Sequence, residues 1–269
     1  MQNLHTHTFL SDGKDSPEQM LEAAISMGFD SLGFSDHAPT EFSTEVEIDD
    51  LTYFDRISLA REKYKDRIKV FLGIELDYYS KGVFAERDYD YKIGSVHFTQ
   101  LKSGRLAEFD HSPELTKKQI EEDFDGNVYS YAEAYFEKVA HLPERFDFDI
   151  VGHFDVLTKF IEKQDGFFDT GSPIYRKMAF EALHTVRKKR SLFELNTGAI
   201  ARGWRSSPYP EEFLLREMRA LDCKMVIGSD CHDKAKLNCY FKEARELLSS
   251  VGFREAYILT DSGFVGEKL

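Results

Sequence analysis

The sequence predicts an α/β fold, a closed or nearly closed β/α barrel formed by one domain over residues 1–269. Three observations point there. Short apolar runs alternate with amphipathic helical patterns along nearly the whole chain, and strand-helix-strand alternation implies parallel strands joined by crossovers. Seven or eight such units fit within 269 residues, a length that buries a substantial core. No Pro/Gly/Ser-rich linker, internal repeat or low-complexity segment interrupts them.

A first strand runs into His5 and His7, and Ser16-Pro17 then reads as the N-cap and first-turn proline of a helix over 16–28. Strand-like runs follow at SLGFSD (31–36), KVFLGIEL (69–76), YKIGSVHF (91–98), FDIVGHF (148–154), SLFELN (191–196), KMVIGSD (224–230) and EAYILT (255–260). Helical patterns cover 50–66, 130–141, 172–190, 209–221 and 236–250. Two segments, 38–50 and 99–128, are too long and polar for tight connections. Both follow strand ends, where barrels place active-site loops, so they read as lids or specificity loops, or as plain surface excursions.

Composition narrows the class. Hydrophobic content of 42% and charged content of 31% are those of an ordinary globular chain. No stretch approaches the roughly 20 apolar residues that span a bilayer, and no secretory pattern opens the chain. Cys223, Cys231 and Cys239 form no CxxC pair and cannot all pair with one another, which suggests a reducing compartment, most simply the cytoplasm. A net charge of −13 repels nucleic acid and anionic membrane, and RKKR (187–190) reads as a solvated helix end. An anionic substrate would need another attractor, and bound divalent metals supply one.

The histidines and acids then fall into a pattern. His5 and His7 end the first strand, Asp36-His37 ends GFSDH, and Glu75 lies near the end of VFLGIEL. His97 ends IGSVH, His153 ends IVGH, and Asp230 and His232 end VIGSDCH. In an α/β barrel those C-terminal strand ends converge on one face. In extended chain, residues i and i+2 point the same way, so His5 pairs with His7 and Asp230 with His232, leaving Cys231 to packing. Imidazoles and carboxylates without thiolates suit Zn, Mn or Fe in a hydrolytic site. His5, His7, Asp12, His37, Glu75, His97, His153, Asp230 and His232 are too many for one ion. They suit two or three ions with a bridging carboxylate, and Glu75 is the natural bridge. Clustered metals lower the pKa of a shared water and clamp the oxygens of a displaced phosphoryl group.

The ordered series HTH, SDH, GIE, GSVH, GH and SDCH resembles the polymerase and histidinol phosphatase (PHP) superfamily, and within it the histidinol-phosphate phosphatases of the histidine pathway. The resemblance covers essentially the whole chain. It implies a distorted, TIM-barrel-like (β/α)7 barrel with a trinuclear metal centre at the C-terminal strand ends. By that likeness His5, His7, Glu75 and Asp230 hold one metal, Glu75, His97 and His153 a second, and Asp12, His37 and His232 a third. Some relatives place a histidine where Asp12 stands. Arg202, in NTGAIARGWRSSPYP (196–210), resembles a phosphate-contacting arginine of the family. Arg205 and Lys159 are further substrate-binding candidates, a helix-surface lysine being the other reading of Lys159.

The expected activity is hydrolysis of a small phosphomonoester, L-histidinol phosphate, by a metal-bridging hydroxide, with Asp230, Glu75 and Arg202 as the catalytic residues. The rival reading is a PHP-type phosphoesterase or nuclease acting on nucleotides or DNA ends, and a metal-storing module is a third. His111, His141 and His184 read as non-catalytic. Asp36 and Asp77 read as orienting groups, Asp155 as a helix cap, and Glu194 and Asn196 as either substrate contacts or structure.

Overall fold

The computed structural model describes residues 1–42, 50–163 and 169–269. Its frame is a seven-stranded, all-parallel sheet. In chain order the elements begin β1 (Gln2–Asn3), α1 (Pro17–Ser26), β2 (Ser31–Phe34), α2 (Asp50–Tyr64), β3 (Lys69–Asp77), α3 (Gly82–Ala85) and β4 (Tyr91–Ser95). A hairpin of β5 (Phe98–Gln100) and β6 (Leu106–Glu108) follows, then α4 (Pro113–Asp123), α5 (Val128–Arg145) and β7 (Ile150–Val151). The chain ends with α6 (Pro173–Arg187), β8 (Leu192–Asn196), α7 (Gly198–Ala201), α8 (Glu212–Ala220), β9 (Lys224–Gly228), α9 (Phe241–Val251), β10 (Glu255–Thr260) and β11 (Gly263–Lys268).

The sheet runs β1-β2-β3-β4-β7-β8-β9. It nearly closes: His7 N donates to the Cys231 carbonyl (2.8 Å) and Cys231 N to the His5 carbonyl (3.1 Å), joining the first segment to the last at one end. Inside the barrel, Leu4, Phe71, Tyr91, Ile93, Ile150, Leu192 and Val226 fill the space below the strand ends. Tyr91 lies against Gly33 and Gly73, where an added Cβ would come within 2.4 and 2.3 Å of its side chain. Two larger apolar clusters sit between sheet and helices.

Local signals explain the helices near the barrel mouth. At α1, Ser16 accepts from Gln19 N while the Gln19 side chain accepts from Ser16 N, a reciprocal cap with proline in the first turn. At α4, within 99–128, where only a long polar segment is expected, Ser112 accepts from Leu115 N and proline again opens the first turn, without the reciprocal side-chain bond. Part of the other long segment, 43–49 of 38–50, lies outside the described residues.

The run 255–260 departs from expectation. It is a strand, but it pairs antiparallel with β11 and not with the barrel. Its Leu259 joins the barrel-interior cluster, and the Gln2 side chain holds the Leu259 backbone through both its amide atoms (2.7 and 2.9 Å). A hairpin thus packs at the barrel in place of an eighth parallel strand. Asp230 also differs: β9 stops at Gly228, and Asp230 has φ of 46°, so it reaches the site through a left-handed turn and not through strand alternation.

Candidate metal centre

The stretch 5–7 shows period-two alternation beyond β1. Thr6 turns away, its hydroxyl donating to the Gly33 carbonyl (2.7 Å), while the His5 and His7 rings face the barrel mouth. The chain then folds back. Asp36, fully buried, accepts from Thr8 N (2.7 Å) and from the Ser11 hydroxyl (2.6 Å). Gly13 approaches so closely that an added Cβ would meet the His7 carbonyl oxygen at 2.3 Å. This turn returns Asp12 over the histidines, with Oδ2 2.9 Å from His232 Nε2 and 3.7 Å from His37 Nε2.

Glu75 is the hub. Its Oε1 lies 3.1 Å from His153 Nε2, 3.4 Å from His5 Nε2 and 3.5 Å from His97 Nε2. Its Oε2 lies 2.9 Å from His37 Nδ1 and 3.5 Å from His7 Nε2. Asp230 Oδ1 faces His7 (3.2 Å), His232 (3.5 Å) and His5 (3.8 Å), while its Oδ2 accepts from Arg202 Nη2 (2.8 Å).

The structure thus brings all nine residues together in overlapping groups whose ligand atoms lie within 4.8 Å of one another. These groups are His7-Asp12-His37-His232, His5-His7-Glu75, His5-His153-Asp230 and His37-Glu75-His97. The groups overlap: His7 joins both the Asp12 group and the His5-Glu75 group, and His97 Nε2 lies 3.3 Å from His153 Nε2 beside Glu75 Oε1.

The donor set fits divalent metal. His5 Nε2, both ring nitrogens of His7, Glu75 Oε2 and His153 Nδ1 are buried and make no hydrogen bond of good geometry. Buried polar atoms left this way are costly unless something else satisfies them. Charge tells the same story. Burial, followed by the neighbouring His232 and His37, lowers the His7 pKa to about 3, leaving the neutral imidazole that a metal ligand must be. Burial alone would depress His5 too, but Glu194, Glu75 and Asp230 raise it well above the usual range. Burial likewise disfavours the charged form of His37, yet Glu75 and Asp12 raise its pKa to about 10. Burial pushes Glu75 and Asp230 up, and the cations around them overcome it and hold both well below ordinary carboxylates. The acids therefore draw protons onto the imidazoles, the positions a metal cation would otherwise neutralise.

Partners behind the ligands orient them. Glu194, 1% exposed, lies 2.8 Å from His5 Nδ1 and accepts from His153 N (3.0 Å) and Asn196 Nδ2 (2.9 Å). Asp77 accepts from His97 N (2.8 Å) and lies 3.3 Å from its Nδ1. Asp155 does not cap through its side chain the turn that follows it; it accepts from Glu211 N (3.1 Å) at the start of α8.

Above the cluster opens a cavity of about 390 Å³. Asp12, His37, His97, Asp230, His232 and Arg202 line it together with Phe98, Glu108, Asp110, His111 and Lys159. Arg202 Nη1 also donates to the Asp230 carbonyl (3.1 Å). Lys159, half-buried at the cavity wall, donates to the Asp110 carbonyl (2.7 Å) and carboxylate (3.1 Å), so it is not a helix-surface lysine. Arg205 is placed elsewhere: it is 4% exposed, does not line this cavity, and pairs with Glu211 in the protein interior. Sequence reasoning missed Glu108, Asp110 and His111 as cavity residues. The signal available was the charged run EFDH inside the segment already marked as a candidate specificity loop. A second cavity, about 410 Å³, lies among Gln2, Val226, Phe241 and Tyr257, away from this cluster.

Comparisons with known proteins agree with this geometry. The family model for the PHP domain matches residues 3–198. A protein of Deinococcus radiodurans named "Probable histidinol-phosphatase" is 29% identical over 265 residues, covering 93% of each chain. The histidinol-phosphatase of Bacillus subtilis is 25% identical over 257 residues, covering 85% of this chain and 92% of its own. The solved structure of histidinol phosphate phosphatase from Lactococcus lactis, complexed with zinc, L-histidinol and phosphate, superposes with a TM-score of 0.73 at 19% identity and covers 98% of both chains.

Proposed function

The chain belongs to the PHP domain family, and from that membership we propose that it is a metal-dependent phosphomonoester hydrolase acting on L-histidinol phosphate. The observation that carries this reading is the gathering of nine imidazole and carboxylate ligands with Arg202 at the mouth of one cavity. The named relatives support the substrate. All 269 residues act as one PHP unit in this reading, because β8 and the turn after β9 supply Glu194 and Asp230 and the β10–β11 hairpin contributes Leu259 to the barrel interior.

Three divalent ions, Zn, Mn or Fe, would be held by His5, His7, Asp12, His37, Glu75, His97, His153, Asp230 and His232, with Glu75 shared. Such ions supply a nucleophilic water of lowered pKa and neutralise phosphoryl oxygens. Arg202, already beside Asp230, presents its guanidinium to the phosphate, where charge-assisted bonds are strongest. With Asp230 Oδ2 engaged by Arg202, Oδ1 is the oxygen that faces His5, His7 and His232 and would serve as the ligand. Lys159 lines the same cavity and adds a second cation. Glu108, Asp110 and His111 receive the amino and imidazole end of the substrate, since carboxylates there attract a cationic leaving group and repel a polyanion. Among the described residues no helix is long and apolar enough to cross a membrane. The free thiols of Cys223, Cys231 and Cys239 support placement in the cytoplasm.

The test is metal content followed by phosphate release from L-histidinol phosphate, nucleotides and short DNA. Preferential release from histidinol phosphate is expected. Metal-replete protein that hydrolyses nothing on the panel would end the enzyme reading, and faster turnover of nucleotides or DNA ends would replace the substrate.

A further inference from the structure

We propose that Arg205 is a positioning residue, a buried clamp that joins the segment carrying Arg202 to the segment carrying Lys159. This rests on the phosphate-binding role given above to those two cations.

Arg202 and Arg205 lie three residues apart on the connection after β8, yet they face different environments. Gly203 between them has φ of 73°, a left-handed turn that carries the chain from the cavity into the interior. The Arg205 side chain is 1% exposed. One side of its planar fork donates to the Thr158 hydroxyl, and the other to Glu211 and to the Ser207 hydroxyl (2.9 Å). Thr158 in turn donates to the Asp155 carbonyl (2.7 Å), and Asp155 accepts from Glu211 N (3.1 Å). Thr158 directly precedes Lys159, whose ammonium reaches Asp110 in the cavity.

Two further links join the same segments on either side. Ser206 donates through both its N–H and its hydroxyl to Glu162, at 2.9 Å each. Trp204 packs edge-on against Phe160 with ring centroids 5.0 Å apart. Of these three links only Arg205 carries a buried charge. Burying a guanidinium is costly unless it is paired and hydrogen-bonded. Its acidic partner Glu211 and its bond to Thr158 are what hold it inside. The fork spans both connections through two separate nitrogens, whereas a lysine gathers its three donors on a single nitrogen that cannot occupy both positions. The connections after β7 and β8 therefore move as one body, and the separation of the two cavity cations is fixed from below.

The test uses the metal-loaded full chain and the variant Arg205→Lys, read by kcat and KM for L-histidinol phosphate, inhibition by inorganic phosphate, metal content and amide exchange over 198–206. We expect kcat/KM to fall about tenfold and phosphate inhibition to weaken similarly, with metal content unchanged and faster exchange over 198–206. In an Arg202→Ala background the same substitution should change both readouts by less than about twofold, because the group being positioned is gone. Thr158→Val removes only the bridging hydroxyl and should show the same pattern at about threefold, which keeps the test available if Arg205→Lys folds poorly. Equal losses with and without Arg202, or unaltered phosphate inhibition in both variants, would overturn the proposal. If the wild-type protein turns over no histidinol phosphate, the substrate reading fails alone, because affinity for inorganic phosphate still reports the placement of Arg202.

Discussion

Glu194→Gln isolates a residue that touches no substrate yet governs the metal centre. Glu194 has two carboxylate oxygens and three facing donors: His5 Nδ1 at 2.8 Å, His153 N at 3.0 Å and Asn196 Nδ2 at 2.9 Å. Glutamine preserves the shape but keeps one acceptor. If its oxygen faces His5, its amide hydrogens meet the two donors on the other side; if it flips, they meet His5. At least one charge-assisted bond is lost in either orientation, worth about 1.5–3 kcal/mol. At roughly 1.4 kcal/mol per decade, that predicts a 10–100-fold weaker hold on metal, the range typical of groups that orient metal-ligating histidines.

The assay is competition for metal against a chelator of known affinity, beside urea unfolding of the metal-free protein. Saturating metal should restore most of kcat, because Glu194 acts through His5 and His153 and not on the phosphate. Unaltered metal affinity together with destabilisation of the metal-free fold by the full 1.5–3 kcal/mol would refute the reasoning, leaving Glu194 a fold residue.

Three further outcomes follow from the same geometry. Gly228→Ala places a Cβ 1.9 Å from Glu194 Oε1 and 3.1 Å from the His5 Cβ, so it should reproduce the metal loss of Glu194→Gln; wild-type metal content in the purified variant would contradict this. Arg202→Met should retain metal and lose about 100–1000-fold in kcat/KM, with the loss mirrored in weaker inorganic-phosphate inhibition. Burial alone would raise Asp110, but Lys159 beside it, with His97 and His153, lowers its pKa to about 2, below its unfolded value, so these interactions stabilise the fold above pH 4 and that contribution fades as pH falls toward 2. Lys159→Met should therefore cost up to roughly 2 kcal/mol at pH 7 and less than about 1 kcal/mol near pH 2.5, as urea unfolding across that range would show.

The barrel and its ligands were legible for one reason: parallel strands deliver their C-terminal ends to a common face, so a histidine or acid at the end of each apolar run is a spatial statement. Glu75 at the centre follows from that rule. What the rule misses is pairing partner and facing. EAYILT has the alternation of a strand, but nothing local distinguishes a barrel strand from a hairpin arm; the turn ending in Gly263, with φ of 100°, was the cue to the hairpin. The helix after Ser112-Pro113 carried the same start signal as the one after Ser16-Pro17, hidden inside a segment whose polarity suggested irregular chain. Arg202 and Arg205 are indistinguishable by residue type. Only the left-handed turn at Gly203 sends one to the cavity and the other into the interior.

The charge balance of the mouth explains how so acidic a chain can take an anionic substrate. Glu75, Asp230, Glu194, Asp77 and Asp36 are all buried there, while the cavity-lining cations Arg202 and Lys159 each already face an acid of their own. With a net charge of −13 around them, these groups would repel a phosphate monoester. Without metal the imbalance is met by protons on His5 and His37, whose pKa values stand above the usual range because carboxylates surround them. Divalent ions at the same nitrogens and oxygens would displace those protons and bring two charges where each proton brings one. Bound metal would therefore make the mouth more cationic, while Glu108 and Asp110 line the same cavity. A cavity that would set divalent ions and Arg202 beside Glu108 and Asp110 suits a small molecule with a phosphate at one end and a protonated amine at the other.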